Sequence, residues 1–310
     1  MPDHSRAHAS AFAPGSVGNV GPGLDILGLA VAGAGDEVTL VRRAGGGLVV
    51  DDPGHPELPR DPKRNTAAIA AQAVFALVGT AANVGVSVRK GLPLSGGQGG
   101  SAASAVAGAC AANHLIGADL DTAALLRCAL EAESRVAGRH ADNVAPSLLG
   151  GLVLVRSLGP IDVIRVPLPD TLRIVLAHPD QQLLTRAARA VLPTEVTRAM
   201  ALQQAANVAA MVAAAFLGDL ALLGRALDDQ IAEPARASLL PGFLAAKAAA
   251  GAAGALGCSI SGAGPTAFAL VDGEAVGDAV AAAMVAAYAE AGIVATARVA
   301  MVDTEGARAW

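Results

Sequence analysis

Apolar and polar positions change rhythm several times along this chain, and each change marks an element. Residues 84–89 (Val-Gly-Val-Ser-Val-Arg) alternate as a half-buried strand does, and 36–41 and 48–50 read as strands too. Residues 65–78 place Ile69, Ala73, Val74 and Leu77 at helical spacing behind Asn65, whose side chain suits an N-cap. An alanine-rich run predicts a second helix over 102–116, and a third is predicted over 122–136, capped by Asp121. In that third helix Leu126, Leu130 and Glu133 share one face, whereas Glu131 lies on the other side with Arg127 and Arg135 four residues away in each direction. Glu131 is thereby a solvated salt-bridge residue. Glu133 sits among apolar neighbours, and a buried carboxylate needs a partner or a raised pKa. A metal ligand and a hydrogen-bonded Glu at a helix end both meet that need.

Farther on, 148–155 predicts a buried strand, with further strands at 162–166 and 172–177. Helices are predicted from 185 to about 193, over 195–217 and over 220–231, with Glu233-Pro234-Ala235-Arg236 interrupting them. The most apolar stretch, 208–217, ends at Gly218-Asp219. It is too short to span a bilayer and reads as a buried helix. A strand, a tight Gly loop and a second strand fill 256–270, and a helix at 275–291 and a strand at 293–302 complete an α+β half.

The candidate chemistry lies in loops. Residues 91–104 carry five glycines within their first ten positions, hydroxyls at Ser95, Ser101 and Ser104, and a strand–loop–helix context. Glycine lets a backbone approach a ligand closely, and the first N–H groups of a helix are unpaired and partly positive. Such a loop is a phosphate cradle. It is not a Walker A motif, because no Lys-Ser/Thr pair closes it. The degenerate dinucleotide match Gly97-x-Gly99-x-x-Ala102 fits poorly, because Asp119 follows a helix and not a second strand. Residues 11–29 hold Pro14, Gly15, Gly18, Gly21, Pro22 and Gly23, which oppose regular structure. Asn19 and Asp25 are the polar residues there. One reading makes Asn19 a turn residue and Asp25 the cap of a helix-like 26–29; the other aims both at a small polar ligand. Arg139, His140, Asp142 and Asn143 cluster just before the apolar run 148–155, and loops on a rigid scaffold carry function.

Composition narrows the class. With 310 residues, 53% of them hydrophobic and 16% charged, the chain can bury a large core. Aromatics are 2%, so that core relies on aliphatic side chains and close helix packing. A net charge of −5 opposes nucleic acid or an anionic membrane as partner. Cys110, Cys128 and Cys258 are odd in number and far apart, which suits reduced thiols in a cytoplasmic protein. Residues 1–10 are polar and unlike a signal peptide.

Three Gly-rich loops in this order resemble the GHMP small-molecule kinases: Pro14-x-Ser16-x-x-Asn19-x-Gly21-x-Gly23-x-Asp25, the loop 93–104, and Ser-Gly-x-Gly-Pro-Thr at 261–266. Within that family, His140-Ala141-Asp142-Asn143-Val144-Ala145-Pro146, with Leu149-Gly150-Gly151, Thr185-x-x-x-Arg189 and Glu233-Pro234-x-Arg236, is most similar to the homoserine kinases. The resemblance implies an α/β (α+β) two-domain fold, with an N-terminal α/β half at 1–165, a C-terminal ferredoxin-like α+β half at 166–310 and a cleft between them. It implies phosphorylation of the side-chain hydroxyl of L-homoserine by ATP. Small molecules are then the partners, and a homodimer is compatible with it. Pro93, Ser95, Gly96, Gly97, Gln98, Gly99, Gly100, Ser101, Ala102, Ala103 and Ser104 would hold the nucleotide, with Asn65 near the adenine, and Ser101 and Glu133 would hold Mg²⁺. Asn19, Asp25, His140, Asp142, Asn143, Thr185, Arg189, Arg236 and Gly264 would surround the amino acid. Two departures stand out: the family loop usually reads Gly-Leu-Gly-Ser-Ser-Ala, whereas here Gln98 replaces Leu and Gly100 replaces the first Ser. The rivals are a GHMP kinase for another small alcohol and a catalytically silent ligand sensor.

Overall fold

The structure is a computed structural model that describes residues 6–136 and 138–310. The first half of the polar stretch read at 1–10 lies outside the described residues. The chain runs β1 (His8–Gly18), β2 (Leu27–Arg42), β3 (Leu48–Asp52), α1 (Thr66–Val78), β4 (Val84–Arg89), α2 (Gly100–Ile116), α3 (Thr122–Val136), α4 (Val144–Leu149), β5 (Leu152–Leu158) and β6 (Ile161–Val166). It continues through β7 (Leu172–Pro179), α5 (Thr185–Ala190), α6 (Arg198–Leu217), α7 (Leu220–Ala226), α8 (Ala232–Arg236), α9 (Phe243–Ala252), β8 (Gly257–Ile260), β9 (Ala267–Asp272), α10 (Glu274–Glu290), β10 (Ala295–Ala300) and β11 (Arg308–Ala309).

Local chemistry sets the helix ends. Asn65 Oδ1 accepts from Ala68 N at 3.2 Å and caps α1, and Gly79 closes that helix at φ 74°. Asp121 Oδ1 accepts from Ala124 N at 2.7 Å at the start of α3. In β4 the valines at 84, 86 and 88 point inward, as their alternation requires. The alanine content has a packing role. A Cβ at Gly108 of α2 would come within 2.4 Å of the Ala67 carbonyl oxygen of α1, so these two helices touch backbone to backbone.

Two sheets organise the rest. The first has the order β11-β1-β2-β4-β3, with β5 also on β2 and β6 on β5; β3 and β4 are parallel and the remaining pairs antiparallel. The second is an antiparallel sheet in the order β10-β7-β9-β8. One core lies between the first sheet and α1–α3, and another between the second sheet and α9 and α10. A third joins the halves, packing Val17, Leu27 and Leu29 with Ile174, Met211 and Phe268. The last ten residues return to the first half, where β11 pairs with β1. The three cysteines are free and buried, and burial pushes the Cys110 and Cys258 thiols up to about 12.

Several expectations are corrected. The stretch 11–29 is strand on both sides of a turn. β1 extends to Gly18 and β2 begins at Leu27, with a register shift at Pro14/Gly15 absorbing the proline. Its glycines serve close approach: a methyl group at Gly28 would come within 1.6 Å of the Asp142 carbonyl oxygen. Asp25 is left-handed (φ 63°) and caps no helix. The run 148–155 is divided. Its first residues end α4, Gly150 and Gly151 turn at φ 71° and 73°, and only then does β5 start. α7 ends at Ala226, and Glu233-Pro234-Ala235-Arg236 is itself helical, because Asp229 accepts from the N–H groups of Ile231, Ala232 and Glu233 and nucleates α8. α6 is only partly buried: Met211, Ala214 and Ala215 face the core, while Leu202, Phe216 and Leu217 are exposed. By length and composition alone α6 could cross a membrane.

The tight fit at Gly28 yields a prediction. Gly28→Ala is expected to lower stability by about 2 kcal/mol or more and to lower turnover with it, by shifting residues 140–143. Denaturant melts alongside steady-state rates check this; an active, wild-type-stable variant would refute it.

Candidate active site

The loop between β4 and α2 is held from behind. Gly96 O accepts from Thr266 Oγ1 at 2.5 Å and from Thr266 N at 3.3 Å. Gly97 O accepts from Ser261 Oγ at 2.6 Å, and Gln98 O from Ser16 N at 3.1 Å. In a trans peptide unit the C=O and the next N–H point in opposite directions. Each carbonyl fixed in this way turns the N–H group of the next residue, 97, 98 or 99, the opposite way. Positive φ at Ser95 (50°), Gly97 (75°) and Gly99 (69°) makes this path possible, and Gly99 is the N-cap of α2. A cleft of about 360 Å³ opens there, lined by Pro93, Ser95, Gly96, Gly97, Gly99, Gly100 and Ser101.

Side chains of the loop divide by role. Ser101 Oγ donates to Glu133 Oε1 at 3.0 Å, while Glu133 Oε2 is buried without a partner among the described residues. Glu133 is 3% exposed and lines the cleft. Burial raises its pKa; the Ser101 hydrogen bond and the nearby His140 oppose this, and Asp142 adds to it. Ala102 and Ala103 are in the core, so only their backbone is available to a ligand. Ser104 Oγ donates to Asp36 Oδ2 at 2.6 Å. Lys90 pairs with the same fully buried Asp36 and donates to Gly100 O at 3.0 Å and Ser104 Oγ at 3.1 Å. Asp36 also accepts from Gly91 N, so one buried ion pair anchors both ends of the loop. Sequence reading missed Lys90 and Asp36; a lysine just after β4, immediately before the glycines, was the available signal. Asn65 lines the far end of the cleft, although its amide is engaged with Ala68 N and, at 3.2 Å, Pro59 O.

At the other end the remaining loops converge. Asn19 N donates to Asp142 Oδ2 at 3.0 Å, Asn19 Nδ2 to Gly262 O at 2.8 Å, and Asp25 N to Asn19 Oδ1 at 3.1 Å. Asp142 Oδ1 lies 3.1 Å from His140 Nδ1, and Ser16 Oγ donates to Asn143 Oδ1 at 2.9 Å. Arg189 grips Asp25 through two nitrogens, at 2.5 and 3.2 Å. Burial works against the Arg189 charge, but Asp25 and then Asp142 outweigh it and hold its pKa up. Arg236 is 2% exposed and anchored by Nε to Ala188 O (3.1 Å) and Nη1 to Gly262 O (2.9 Å). Burial, then the Arg189 charge, push its pKa down. Thr185 and Gly264 complete this wall, and Leu183 and Ala263 join it without having been foreseen. Asp25 reaches it through Arg189, whereas Glu233 turns away to Lys247 and Ser259. The cleft thus offers unpaired amides beside an orphaned carboxylate oxygen at one point, and two guanidiniums among Asp25, Asp142 and Asn143 a short way off.

Comparison with known proteins agrees with this arrangement. Residues 65–151 match the GHMP kinases N terminal domain and residues 207–290 the GHMP kinases C terminal domain. A homoserine kinase of Chlorobium phaeovibrioides is 44% identical over 292 residues, spanning 89% of this chain and 91% of the relative. One from Arabidopsis thaliana is 43% identical, spanning 99% and 86%. The crystal structure of homoserine kinase from Cytophaga hutchinsonii superposes with a TM-score of 0.95 at 38% identity, covering 99% of each chain. A Lactococcus lactis galactokinase, 15% identical with a TM-score of 0.70, shares the fold alone. With both halves matched and relatives of this similarity spanning nearly its full length, the chain belongs to the GHMP kinases and, within them, to the homoserine kinases.

Proposed function

We propose that this cleft transfers the terminal phosphoryl group of ATP to the side-chain hydroxyl of L-homoserine, giving O-phospho-L-homoserine and ADP for threonine biosynthesis. The observation that carries the reading is the unpaired Glu133 Oε2 beside Ser101 at the start of α2, where phosphates would meet the N–H groups of residues 97–99. Glu133 and Ser101 fit a small hard cation, since both present oxygen and one oxygen has no other use. When bound, Mg²⁺ neutralises phosphate charge and aligns the transferring group. The loop amides and the α2 N-terminus grip the triphosphate, and Asn65 marks the end that takes the adenine. Asp25 and Asp142 suit the ammonium of the amino acid, and Arg189 and Arg236 its carboxylate.

The site positions charge; it does not abstract a proton. Both Asp142 oxygens are engaged, by Asn19 N and His140, and the next residue is the amide Asn143. Asn143, Thr185 and Gly264 border the hydroxyl, whose proton passes to an oxygen of the transferring phosphoryl group as the new O–P bond forms and the bond to ADP breaks. Asp142→Asn is accordingly expected to raise the homoserine KM by about tenfold or more, on the scale of one lost charged hydrogen bond, and to lower kcat less. A kcat lower by ~10³-fold at unchanged KM would make Asp142 the base. The function itself is tested by ADP release with ATP and Mg²⁺ across small alcohols. Homoserine should exceed all others widely; equal rates with another alcohol, or no ADP, would overturn the reading.

A further inference from the structure

The second half of the chain reaches the phosphate loop through two hydroxyls, Ser261 on Gly97 O and Thr266 on Gly96 O, and the second has further partners. Thr266 Oγ1 donates its single proton to Gly96 O at 2.5 Å. Toward its other neighbours it can only accept. Those neighbours are Gln98 Nε2 at 3.3 Å and His178 Nδ1 at 2.9 Å. Both must donate, so His178 carries its proton on Nδ1. Burial lowers the His178 pKa, which favours the neutral ring, and the Thr266 contact then selects the tautomer. Neither His178 nor Gln98 lines the cleft.

We propose that His178 and Gln98 are positioning residues for the nucleotide. Two donors fill the lone pairs of the Thr266 hydroxyl and leave its proton only the Gly96 carbonyl. The peptide unit between Gly96 and Gly97 is thereby held, with its N–H opposite the carbonyl that Thr266 grips. This rests on the reading of the loop as the ATP phosphate site. It also gives a reason for the polar residue at 98, where the family loop usually has Leu: Gln98 supplies the second donor.

The test uses the full chain with Thr266 intact. His178→Leu and Gln98→Leu each remove one donor, whereas His178→Asn keeps a donor near the Nδ1 position. Each lost hydrogen bond is worth about 2- to 12-fold. The double variant His178→Leu/Gln98→Leu is therefore expected to raise the ATP KM and the calorimetric Kd for ADP about tenfold or more, with the homoserine KM within twofold. His178→Asn should bind ADP within threefold of wild type. Wild-type ADP affinity in the double variant, an equal rise in both KM values, or His178→Asn as impaired as His178→Leu would each overturn the proposal. If the double variant does not fold, the comparison of His178→Asn with Gln98→Leu alone decides, by whether the latter still raises the ADP Kd. If the wild-type chain takes up no ADP, the phosphate-site reading fails as well; if it does and the variants match it, only the positioning role fails.

Discussion

Replacing Glu133 with Gln is expected to lower kcat by ~10³-fold or more while raising the melting temperature of the metal-free protein at neutral pH. Glu133 Oε1 takes the Ser101 hydroxyl, and Oε2 is buried with nothing to accept from. Loss of a cation's charge stabilisation of about 4 kcal/mol corresponds to about 10³-fold in rate. The stability effect has the opposite sign. Burial raises the folded-state pKa of Glu133 above its unfolded value. The protonated form is therefore favoured by folding: its contribution is fully present below the unfolded pKa and is lost as pH rises through the folded pKa. Above that point the metal-free wild type carries a buried charge that the neutral amide of the variant does not. The melting temperature of Glu133→Gln should thus vary less with pH across that window. Mg²⁺ with nucleotide should stabilise the wild type more than the variant. A variant with kcat within tenfold of wild type, or destabilised at neutral pH without metal, would contradict the assignment.

Arg236→Met is expected to raise the homoserine KM by about 10²-fold or more and to leave the ATP KM within threefold. Arg236 is buried and anchored to the Ala188 and Gly262 carbonyls, so its guanidinium is already oriented before substrate arrives. Arg189 stands near enough for its charge to disfavour that of Arg236, and Asp25 occupies part of it. A carboxylate relieves that repulsion. Charged hydrogen bonds contribute about 1.5–3 kcal/mol each, and two of them account for the expected loss. Arg236→Lys should recover little, because an ammonium cannot reproduce the planar fork. Parallel rises in both KM values would show that the variant merely loosens the interface between the halves.

Much of the site was legible because its chemistry is local. The glycines of 91–100 followed by an alanine-rich helix describe a phosphate cradle without reference to any other segment. Helical spacing alone separated Glu133 from Glu131, and the structure buries the first and pairs the second with Arg135. The errors fall where distant segments overrule local preference. Glycines at 15 and 18 looked like loop, yet β1 and β2 pair through them, and residues 140–143 fill the space a side chain would take at 18 and 28. Asp36 and Lys90, 54 residues apart, meet only when β2 and β4 lie side by side. No spacing rule reports such a pair.

The sequence by itself determined most of the element types, the Gly-rich loop that opens a helix, the inward face that carries Glu133 and the family. Those properties follow from period, capping and glycine placement, which act over a few residues. Only the tertiary structure decided that Asp25 pairs with Arg189, that Arg236 is fixed by two backbone carbonyls, and that Thr266 and Ser261 hold the Gly96 and Gly97 carbonyls. Each of these joins residues far apart in the chain, where geometry is set by packing between sheets and helices and not by the chain's own neighbours.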